Sequence, residues 1–270
     1  MKVVILCGGM GTRLREYTES LPKPMVPVGN VPIVVHIMQM YAAAGMTEFV
    51  LCLGYMGHVI RDYFLNYESN VRDFTVELGR PGAIEYHGEH FPGWKVTLVE
   101  TGAQTLTGGR IARAAKYLTP GETFAVTYGD GVSDVPLTEV LAFHRRHGKK
   151  ATVTGVRPPS RFGEIDHDGG LVRSFNEKPQ ASAGLINGGF FFFEHSFLDY
   201  LTTDQECVLE RAALEKCVED KQLHVYEHAG FWQCMDTYRD WERLDQYWKE
   251  GNPPWIGDRK SLPSHSPLRG

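Results

Sequence analysis

Short runs of apolar residues alternate along the chain with longer stretches in which apolar residues recur every three or four positions. The short runs are typical of strands buried on both faces, and the longer stretches are typical of helices with one buried face. The predicted strands are Val3–Leu6, Phe49–Leu53, Phe124–Thr127, Ala151–Val156 and Gly188–Phe193, and the predicted helices are Pro32–Ala44, His58–Tyr67 and Leu137–His147. This alternation predicts an α/β fold in which helices cover a mostly parallel sheet.

Two segments, residues 73–100 and 158–179, instead alternate apolar and polar residues between turns rich in Gly and Pro. The strand-like runs are Thr75–Leu78 and Lys95–Val99 in the first segment, and Phe162–Asp166 and Leu171–Asn176 in the second. In the second segment, Asp168-Gly169-Gly170 is suited to a hairpin turn. We therefore predict two smaller antiparallel β insertions that leave the main sheet and form one side of a substrate pocket.

Composition and charge narrow the classes of partner. The chain has 270 residues, a net charge of −5 and no run of five or more Lys or Arg residues, which argues against nucleic acid or an anionic membrane and favours a small ligand. The apolar run Met1–Leu6 is too short for a signal peptide, and no stretch approaches the about 20 apolar residues of a membrane helix. The five cysteines include no Cys-x-x-Cys pair, so we expect a reducing, cytoplasmic compartment.

The C-terminal residues differ in composition from the rest of the chain. From residue 251 onward, Pro, Ser and Gly dominate, and such a composition does not supply the apolar surface of a core. We therefore expect residues 1–250 to form a single domain and residues 251–270 to form a tail. Just before the tail, Trp241, Tyr247 and Trp248 fit a subunit interface and core packing equally well.

The first predicted strand leads directly into a glycine-rich loop, Leu6-Cys7-Gly8-Gly9-Met10-Gly11-Thr12-Arg13-Leu14. Glycine allows the main chain to turn tightly and to present N–H groups to an anion, and the Arg13 guanidinium adds donors for phosphate oxygens. The loop lacks the Gly-Lys-Ser/Thr ending of a P-loop and the glycine spacing of a dinucleotide fingerprint. By itself it indicates either a phosphate site or an ordinary turn.

A second candidate for phosphate chemistry is Lys23, which has a proline on each side, Pro22 and Pro24. The prolines restrict the backbone around this lysine. A lysine held in this way is suited to neutralise a phosphate whose charge rises during displacement at phosphorus. The alternative is an exposed lysine between two turns.

Together, the glycine-rich loop and Pro22-Lys23-Pro24-Met25 resemble the signature of the sugar-1-phosphate nucleotidylyltransferases. The resemblance implies a Rossmann-like core in which both segments wrap a nucleoside triphosphate. It also implies that Arg13 and Lys23 are catalytic residues that stabilise the phosphates, and that the backbone from Leu6 to Thr12 lines the nucleotide.

A third match, Tyr128-Gly129-Asp130-Gly131, ends a predicted strand, and α/β proteins bind ligands at such strand ends. The resemblance implies that Asp130, a catalytic residue, and Asp236 bind Mg²⁺ and that Gly129 lines the nucleotide. Mg²⁺ needs few protein ligands because water and phosphate oxygens complete its octahedron, so two carboxylates suffice. Without the resemblance, each aspartate also fits a turn or a helix cap.

Two further segments resemble the elements of the family that bind the sugar phosphate. The first is Glu177-Lys178-Pro179, where the resemblance implies that Lys178 binds the phosphate and Glu177 accepts hydrogen bonds from sugar hydroxyls. The second is Asn187-Gly188-Gly189-Phe190, in which Asn187 would be a hydroxyl partner. On their own, these segments also fit a surface turn and a bend before a strand.

Several segments resemble the glucose-1-phosphate cytidylyltransferases in particular. They are Thr101-Gly102, Thr107-Gly108-Gly109-Arg110 before a predicted helix, Arg161-Phe162-Gly163, Phe231-Trp232-Gln233 and Trp248-Lys249-Glu250-Gly251. The resemblance implies that Thr105 and Arg110 contact the nucleotide. It also implies transfer of a cytidylyl group from CTP to glucose 1-phosphate, and a homo-oligomer, with a hexamer as one form.

Other functions stay open at this point. The same reaction could use UTP or dTTP, or CTP could react with a different sugar phosphate, because base choice depends on a few hydrogen bonds. A non-catalytic sensor of sugar nucleotides could share the fold. The chain keeps Lys23, Asp130 and Asp236 together, which favours an enzyme over a non-catalytic relative.

Overall fold

An eight-stranded mixed sheet forms the centre of the protein in the computed structural model, which describes residues 1–9, 14, 20–80, 82–88, 93–157, 164–168, 171–176 and 184–256. For residues 164–168 and 174–176 it describes the backbone alone. The strands are β1 Lys2–Leu6, β2 Pro27–Val28, β3 Val31–Pro32, β4 Glu48–Leu53, β5 Phe74–Val76, β6 Ile84–Tyr86, β7 Lys95–Glu100, β8 Phe124–Tyr128, β9 Gly131–Ser133, β10 Ala151–Val156, β11 Glu164–Asp168, β12 Leu171–Asn176, β13 Ile186–Asn187, β14 Phe191–Phe193, β15 Leu223–His228 and β16 Trp232–Cys234.

The helices lie between these strands. The α-helices are α1 Ile33–Ala43, α2 Gly57–Leu65, α3 Tyr67–Val71, α4 Thr107–Ala114, α5 Leu137–His147, α6 Leu214–Glu219 and α7 Tyr238–Lys249. Short 3₁₀ helices are Lys23–Met25, Ala115–Tyr117, His195–Tyr200 and Pro254–Ile256, and Leu209–Ala213 is a π-helix. Across the described residues, no helix has the length and apolar character needed to cross a membrane.

Most neighbouring strands of the central sheet are parallel. Strands β8, β1, β4 and β7 lie side by side in that order and in the same direction. Strand β14 then runs antiparallel between β8 and β10, while β15 is parallel to β10. The predicted α/β fold with a mostly parallel sheet is therefore confirmed, and β13 and β14 are the antiparallel strands within it.

Two apolar clusters cover the two faces of the sheet. Along β1, Val3 and Ile5 belong to one cluster, and Val4 and Leu6 belong to the other. The four phenylalanines from 190 to 193 alternate in the same way, and each is at most 1% exposed. Full burial of one such side chain contributes about 1.5–3 kcal/mol, so this run anchors both layers.

The structure corrects the prediction for residues 73–100. Lys95–Glu100 does not leave the main sheet; it is β7, the parallel edge strand beside β4. Its alternation arises because an edge strand is less covered than the central ones, and Lys95 and Glu100 are exposed. The antiparallel part of this segment is the pair β5 and β6.

The second predicted insertion contains the expected hairpin. Strands β11 and β12 pair antiparallel, with Glu164 opposite Asn176 and a register shift at Asp166 and His167. The predicted turn residues 169 and 170, and residues 158–163 and 177–183, lie outside the described part of the chain.

The segment from Asp199 to Glu219, which carries charged residues with scattered Leu and Cys, is not one continuous helix. A 3₁₀ turn ends at Tyr200, and a helix begins again only at Leu209. In between, the hydroxyl of Thr202 donates to the carboxylate of Asp204, and such local side-chain bonds compete with helix formation. The second helix is partly buried rather than solvated.

Residues 254–256, which were predicted to belong to the C-terminal tail, pack against the core. Pro254–Ile256 forms a 3₁₀ turn, and the Trp255 side chain is only 3% exposed because it stacks on Phe231 at a ring distance of 5.9 Å. Trp241 and Trp248 also pack against the core rather than forming a free face. Residues 257–270 of the predicted tail lie outside the described residues.

Candidate active site

Three chain segments meet at the carboxyl edge of the parallel strands. The loop after β1 and the loop after β8 are tied together, since the Gly129 N–H donates to the Leu6 carbonyl at 3.0 Å. A Cβ atom on Gly129 would lie 2.8 Å from the Leu6 oxygen and 3.1 Å from Pro24. Because only glycine fits this space, the segment that carries Lys23 can approach both strands closely.

The ammonium of Lys23 lies between the carboxylates of Asp130 and Asp236, with an N–O distance of 2.6 Å to each. Lys23 is 13% exposed and each aspartate is 27% exposed. Burial of the Lys23 ammonium lowers its pKa, but the charges and hydrogen bonds of the two aspartates outweigh burial, so its pKa lies above the usual value. The structure therefore brings together three of the predicted site residues.

A small antiparallel pair of strands places the two aspartates side by side. Strand β9 follows Asp130 and pairs with β16, which precedes Asp236. The Met235 N–H donates to the Asp130 carbonyl at 2.8 Å. The Asp236 N–H donates to the Asp240 carboxylate at 3.2 Å, at the start of α7. Backbone pairing thus brings together two aspartates that are more than 100 residues apart in the sequence.

Two cysteines lie next to this cluster. Burial raises the pKa of the Cys7 thiol well above its usual value. Burial and the nearby Asp236 raise the pKa of the Cys234 thiol to about 12, and this thiol donates to the Asp236 carboxylate at a distance of 3.7 Å. Both thiols stay protonated near neutral pH, so neither is a nucleophile.

Arg110 lies beneath the glycine-rich loop. Its guanidinium donates to the backbone carbonyls of Gly8 at 2.9 Å, Leu53 at 3.0 Å and Gly102 at 2.9 Å, and the side chain is 5% exposed. A Cβ on Gly8 would lie 2.1 Å from this guanidinium. Gly8 therefore makes room for Arg110, whereas no atom of the described residues lies within 4 Å of a Cβ built on Gly9.

The residues predicted to precede a helix form its first turn instead, since α4 begins at Thr107. The helix begins earlier because Gly108 and Gly109 allow the segment around Cys207 to pack on this turn, where a Cβ on either would collide with it or with Asp204. Thr105 is 3% exposed, and its hydroxyl oxygen accepts a hydrogen bond from Arg113 at 2.7 Å. Thr105 and Arg110 thus lie on the same side of the site as the glycine-rich loop.

A cavity of about 210 Å³ opens beside the aspartates. Its lining includes Asp130, Asp236, Tyr128, Gly188 and Trp232. The Trp232 indole N–H donates to the Gly188 carbonyl at 2.8 Å, which joins β16 to the segment that carries Asn187. The predicted sugar-side residue Asn187 therefore lies close to the cavity, and its amide is bonded to the Tyr128 hydroxyl.

Some predicted site residues lie outside the described part of the chain. They are Met10, Gly11, Thr12, Arg13, Glu177 and Lys178. Other residues of the site were missed by sequence reasoning: the Tyr128 hydroxyl, the Cys234 thiol and the Glu210 carboxylate. Tyr128 could have been identified from the sequence, since it begins the Tyr-Gly-Asp-Gly motif. No pattern around Glu210 distinguishes it from other surface glutamates.

The donor set of this site fits a hard divalent cation. Asp130 and Asp236 offer carboxylate oxygens to one point, and the Lys23 ammonium at that point shows that the geometry accepts a cation. Among the described residues, no third His, Cys, Asp or Glu joins them in a metal-binding group. Two carboxylates are sufficient where water and phosphate oxygens supply the other ligands.

A family model described as Nucleotidyl transferase matches residues 2–250. The chain therefore belongs to the nucleotidyl transferase family, whose members generally use a divalent metal, and the prediction of an enzyme of this class is confirmed. The chain is 46% identical over 255 residues to the glucose-1-phosphate cytidylyltransferase of Salmonella typhi, covering 94% of this chain and 98% of that protein. This similarity confirms the resemblance found in the sequence.

More distant relatives act on other substrates. The chain is 34% identical over 247 residues to the mannose-1-phosphate guanyltransferase of Gibberella zeae, covering 89% of this chain and 62% of that protein. A solved structure of UDP-glucose pyrophosphorylase complexed with UDP-glucose matches with a TM-score of 0.65 and 17% identity, over 93% of this chain and 99% of that chain. This likeness shows the shared Rossmann-like fold.

Proposed function

We propose that this protein transfers a cytidylyl group from CTP to α-D-glucose 1-phosphate, giving CDP-glucose and pyrophosphate. The observation that carries the proposal is the cluster of Lys23, Asp130 and Asp236 at the carboxyl edge of the sheet. One ammonium and two carboxylates suit a reaction in which charge builds up on phosphate groups. The choice of cytidine and glucose is supported by the 46% identity to a glucose-1-phosphate cytidylyltransferase, compared with 34% to a guanyltransferase.

In the proposed mechanism, a phosphate oxygen of the sugar phosphate attacks the α-phosphorus of CTP in line. A new P–O bond forms, and the bond from the α-phosphorus to the oxygen that bridges to the β-phosphate breaks, so that pyrophosphate leaves. The nucleophile is already an anion, so the protein contributes alignment and charge neutralisation rather than a base. No covalent intermediate is required, in agreement with the protonated thiols of Cys7 and Cys234.

Each charged residue has a task in this mechanism. Lys23 and Arg13 would neutralise the triphosphate, and Lys178 would hold the phosphate of the sugar, with Glu177 and Asn187 on the sugar hydroxyls. Bound Mg²⁺, held by Asp130 and Asp236, would neutralise phosphate charge and orient the triphosphate. Thr105, Arg110 and the backbone of the glycine-rich loop would form the nucleotide side.

The test is pyrophosphate release from the purified protein with Mg²⁺ and glucose 1-phosphate, comparing CTP, UTP, dTTP, ATP and GTP. We expect release with CTP, and the sugar phosphate is then varied with CTP held fixed. Preference for another nucleotide or sugar phosphate would keep the enzyme class and reject the substrates.

The Asp130→Asn variant should lose at least about 100-fold in turnover while it unfolds at nearly the same temperature; full activity in that variant would reject the metal assignment.

The proposal also includes a homo-oligomer, of which a hexamer is one form, in the cytoplasm. The β5–β6 hairpin exposes Phe74 by 43%, Val76 by 47% and Leu78 by 89%, which supports a subunit contact at this hairpin. All five cysteines are unpaired, which supports a reducing compartment. Light scattering on the purified protein measures the mass in solution, and a monomer would reject the oligomer.

A further inference from the structure

Side chains from separate segments form one continuous chain of hydrogen bonds at the carboxyl edge of the sheet. The Thr107 hydroxyl donates to one oxygen of the Glu210 carboxylate at 2.7 Å, and the Tyr128 hydroxyl donates to the other at 2.5 Å. The Asn187 amide nitrogen donates to the Tyr128 oxygen at 3.0 Å, and the Asn187 amide oxygen accepts from the Gly189 N–H at 2.9 Å.

The chemistry of the two ends fixes the direction of every bond in this chain. A carboxylate can only accept, so the hydrogen of the Tyr128 hydroxyl points to Glu210, and the Tyr128 oxygen is left to accept. A backbone N–H can only donate, so the amide oxygen of Asn187 must face Gly189. The Asn187 amide is therefore held in a single orientation, with one N–H and one lone pair of its oxygen left for a ligand.

Glu210 is well placed to act as the fixed end of this chain. It lies in the π-helix Leu209–Ala213, and such helices occur frequently at functional sites. Its backbone is anchored, because the Leu209 N–H donates to the Thr107 hydroxyl oxygen at 2.9 Å and Leu209 is fully buried. The neighbouring Cys207 carbonyl accepts from the Gly109 N–H at 3.0 Å.

These hydrogen bonds also join the two sides of the proposed site. Thr107 begins α4, which carries Arg110, and Tyr128 directly precedes the Gly129-Asp130 pair. Asn187 lies at the end toward the sugar. A shift of Glu210 would therefore be transmitted through Tyr128, which lines the cavity, to the Asn187 amide beside it.

We propose that Glu210 is a positioning residue for the sugar phosphate, which acts through Tyr128 to hold the Asn187 amide in the orientation that the sugar hydroxyls require. The inference rests on the proposed function for the identity of the ligand. It assigns a role to residues 205–210, which are not part of the cluster of Lys23 and the two aspartates.

The test compares Glu210→Ala, Glu210→Gln and Tyr128→Phe with the wild type. We expect Glu210→Ala and Tyr128→Phe to raise the KM for the sugar phosphate about tenfold, with the KM for CTP within about twofold of the wild type. Glu210→Gln keeps an acceptor oxygen for Tyr128 and should restore the KM to within about threefold. The double variant Glu210→Ala/Tyr128→Phe should be no worse than the worse single variant, because both changes break one chain.

The matched control is Tyr226→Phe, which removes another hydroxyl that donates to a glutamate, Glu139 at 3.2 Å, and which is not part of the hydrogen bonds that join Glu210 to Asn187. It should leave both KM values unchanged. Equal KM values for glucose 1-phosphate in the wild type, Glu210→Ala and Tyr128→Phe would overturn the proposal. Equal increases in Glu210→Ala and Glu210→Gln would also overturn it, because charge rather than an acceptor oxygen would then matter.

Direct binding separates this inference from the proposed reaction. Glucose 1-phosphate is titrated against the intrinsic fluorescence of the protein, to which Trp232 at the cavity contributes. We expect binding to weaken about tenfold in Glu210→Ala. If the wild type binds glucose 1-phosphate but transfers no nucleotide, the proposed reaction fails while the weakening still tests Glu210. If the wild type does not bind glucose 1-phosphate, both fail.

Discussion

Lys23 forms two ion pairs at once, and this arrangement sets what the two aspartates can bind. Two carboxylates that face one point repel each other unless a cation lies between them. In this structure the cation is the Lys23 ammonium, 2.6 Å from an oxygen of each aspartate. The ion pairs are partly shielded from water and therefore stronger than pairs on the open surface. A divalent ion that binds the same oxygens has to compete with this lysine.

We predict that Lys23→Met binds Mn²⁺ about tenfold more tightly than the wild type in the absence of nucleotide. The physical reason is that the variant loses the internal cation, so no charge-assisted hydrogen bonds must be broken before the metal binds. Free Mn²⁺ is measured by electron paramagnetic resonance during titration. The same variant should lose nearly all turnover, because Lys23 also neutralises the triphosphate in the proposed mechanism.

A matched control for this measurement is Lys249→Met. Lys249 pairs with Asp245 at 2.7 Å on α7 and is 74% exposed, so its removal changes the net charge equally while the pairs of Lys23 with the two aspartates are kept. Its Mn²⁺ affinity should equal that of the wild type. An unchanged affinity in Lys23→Met would show that the lysine does not compete with the metal.

Individual site residues could be predicted from the sequence where they belong to a short motif. Lys23 and Asp130 belong to such motifs, and the structure brings them together. Arg110 was identified too, but its hydrogen bonds to backbone carbonyls could not be anticipated, because its partners lie 7 to 102 residues away. Glu210 could not be found at all, since its significance depends on Tyr128, 82 residues earlier in the chain.

At the scale of elements, the start of α7 holds Asp236 in place. Thr237 is the N-cap, and its hydroxyl oxygen accepts from the Asp240 N–H while the Asp240 carboxylate accepts from the Thr237 N–H at 2.9 Å. This reciprocal capping box is typical of a stable helix start. The same carboxylate accepts from the Asp236 N–H, so the cap and the candidate metal ligand share one partner.

We predict that Asp240→Ala lowers the free energy of unfolding by about 1–2 kcal/mol and lowers kcat at least about tenfold. The stability falls because the cap is lost, and kcat falls because Asp236 is no longer held. Urea unfolding and steady-state kinetics measure the two effects.

Asp245→Ala on the same helix is the comparison for this prediction. Asp245 is buried and accepts from the Gly29 N–H at 3.0 Å, away from the site. This variant should also lose stability but keep its kcat. A similar fall of kcat in both variants would mean that Asp240 acts only through general stability.

The sequence predicted elements well where local chemistry decides their ends. Leu137–His147 was predicted correctly as a helix, which ends at Gly148 with a left-handed φ of 63°. The prediction from sequence was wrong where tertiary contacts decide which element a segment forms. The alternation in Lys95–Val99 is the same for a hairpin strand and for a sheet edge, and only the pairing with β4 distinguishes them. Trp255 was assigned to the tail because Pro, Ser and Gly dominate the composition from residue 251 onward.

For the molecule as a whole, three tryptophans near the C-terminus pack against residues 27–36 near the N-terminus. The Trp241 indole N–H donates to the Pro27 carbonyl at 2.8 Å, and Trp248 covers Gly29, where φ is 65° and a Cβ would lie 2.2 Å from the indole. Trp255 then packs against His36 on α1 at a ring distance of 5.6 Å. Segments near the two ends of the described chain thus share one apolar cluster, which no local pattern could reveal.

His36 lies at the centre of this contact in a fixed neutral form. The Trp255 indole N–H can only donate, so the Nδ1 atom of His36, 3.2 Å away, must accept. The Nε2 atom therefore carries the hydrogen and donates to the Val28 carbonyl at 2.9 Å. The imidazole is fully buried, and burial lowers its pKa from 6.5 to about 4. Protonation at Nδ1 would also break the bond from Trp255.

From this depressed pKa we predict acid sensitivity of the fold with a defined sign. Above pH 6.5 both the folded and the unfolded chain hold His36 neutral, so its contribution to stability is complete. As the pH falls from 6.5 toward 4, the unfolded chain binds a proton that the folded chain does not, and stability is lost. The loss between pH 7 and pH 5 should be about 2 kcal/mol for this group.

Urea unfolding of the wild type and His36→Gln at pH 7, 6 and 5 measures this loss. Glutamine cannot be protonated, so the variant should be less stable at pH 7, because its fit to Val28 and Trp255 is poorer, but should lose about 2 kcal/mol less than the wild type on acidification. The exposed His58 provides the control, and His58→Gln should follow the wild type at every pH. Parallel pH curves for the wild type and His36→Gln would instead place the acid sensitivity elsewhere in the molecule. A smaller slope in His36→Gln alone would show that the contact between α1 and the C-terminal turn limits stability in acid.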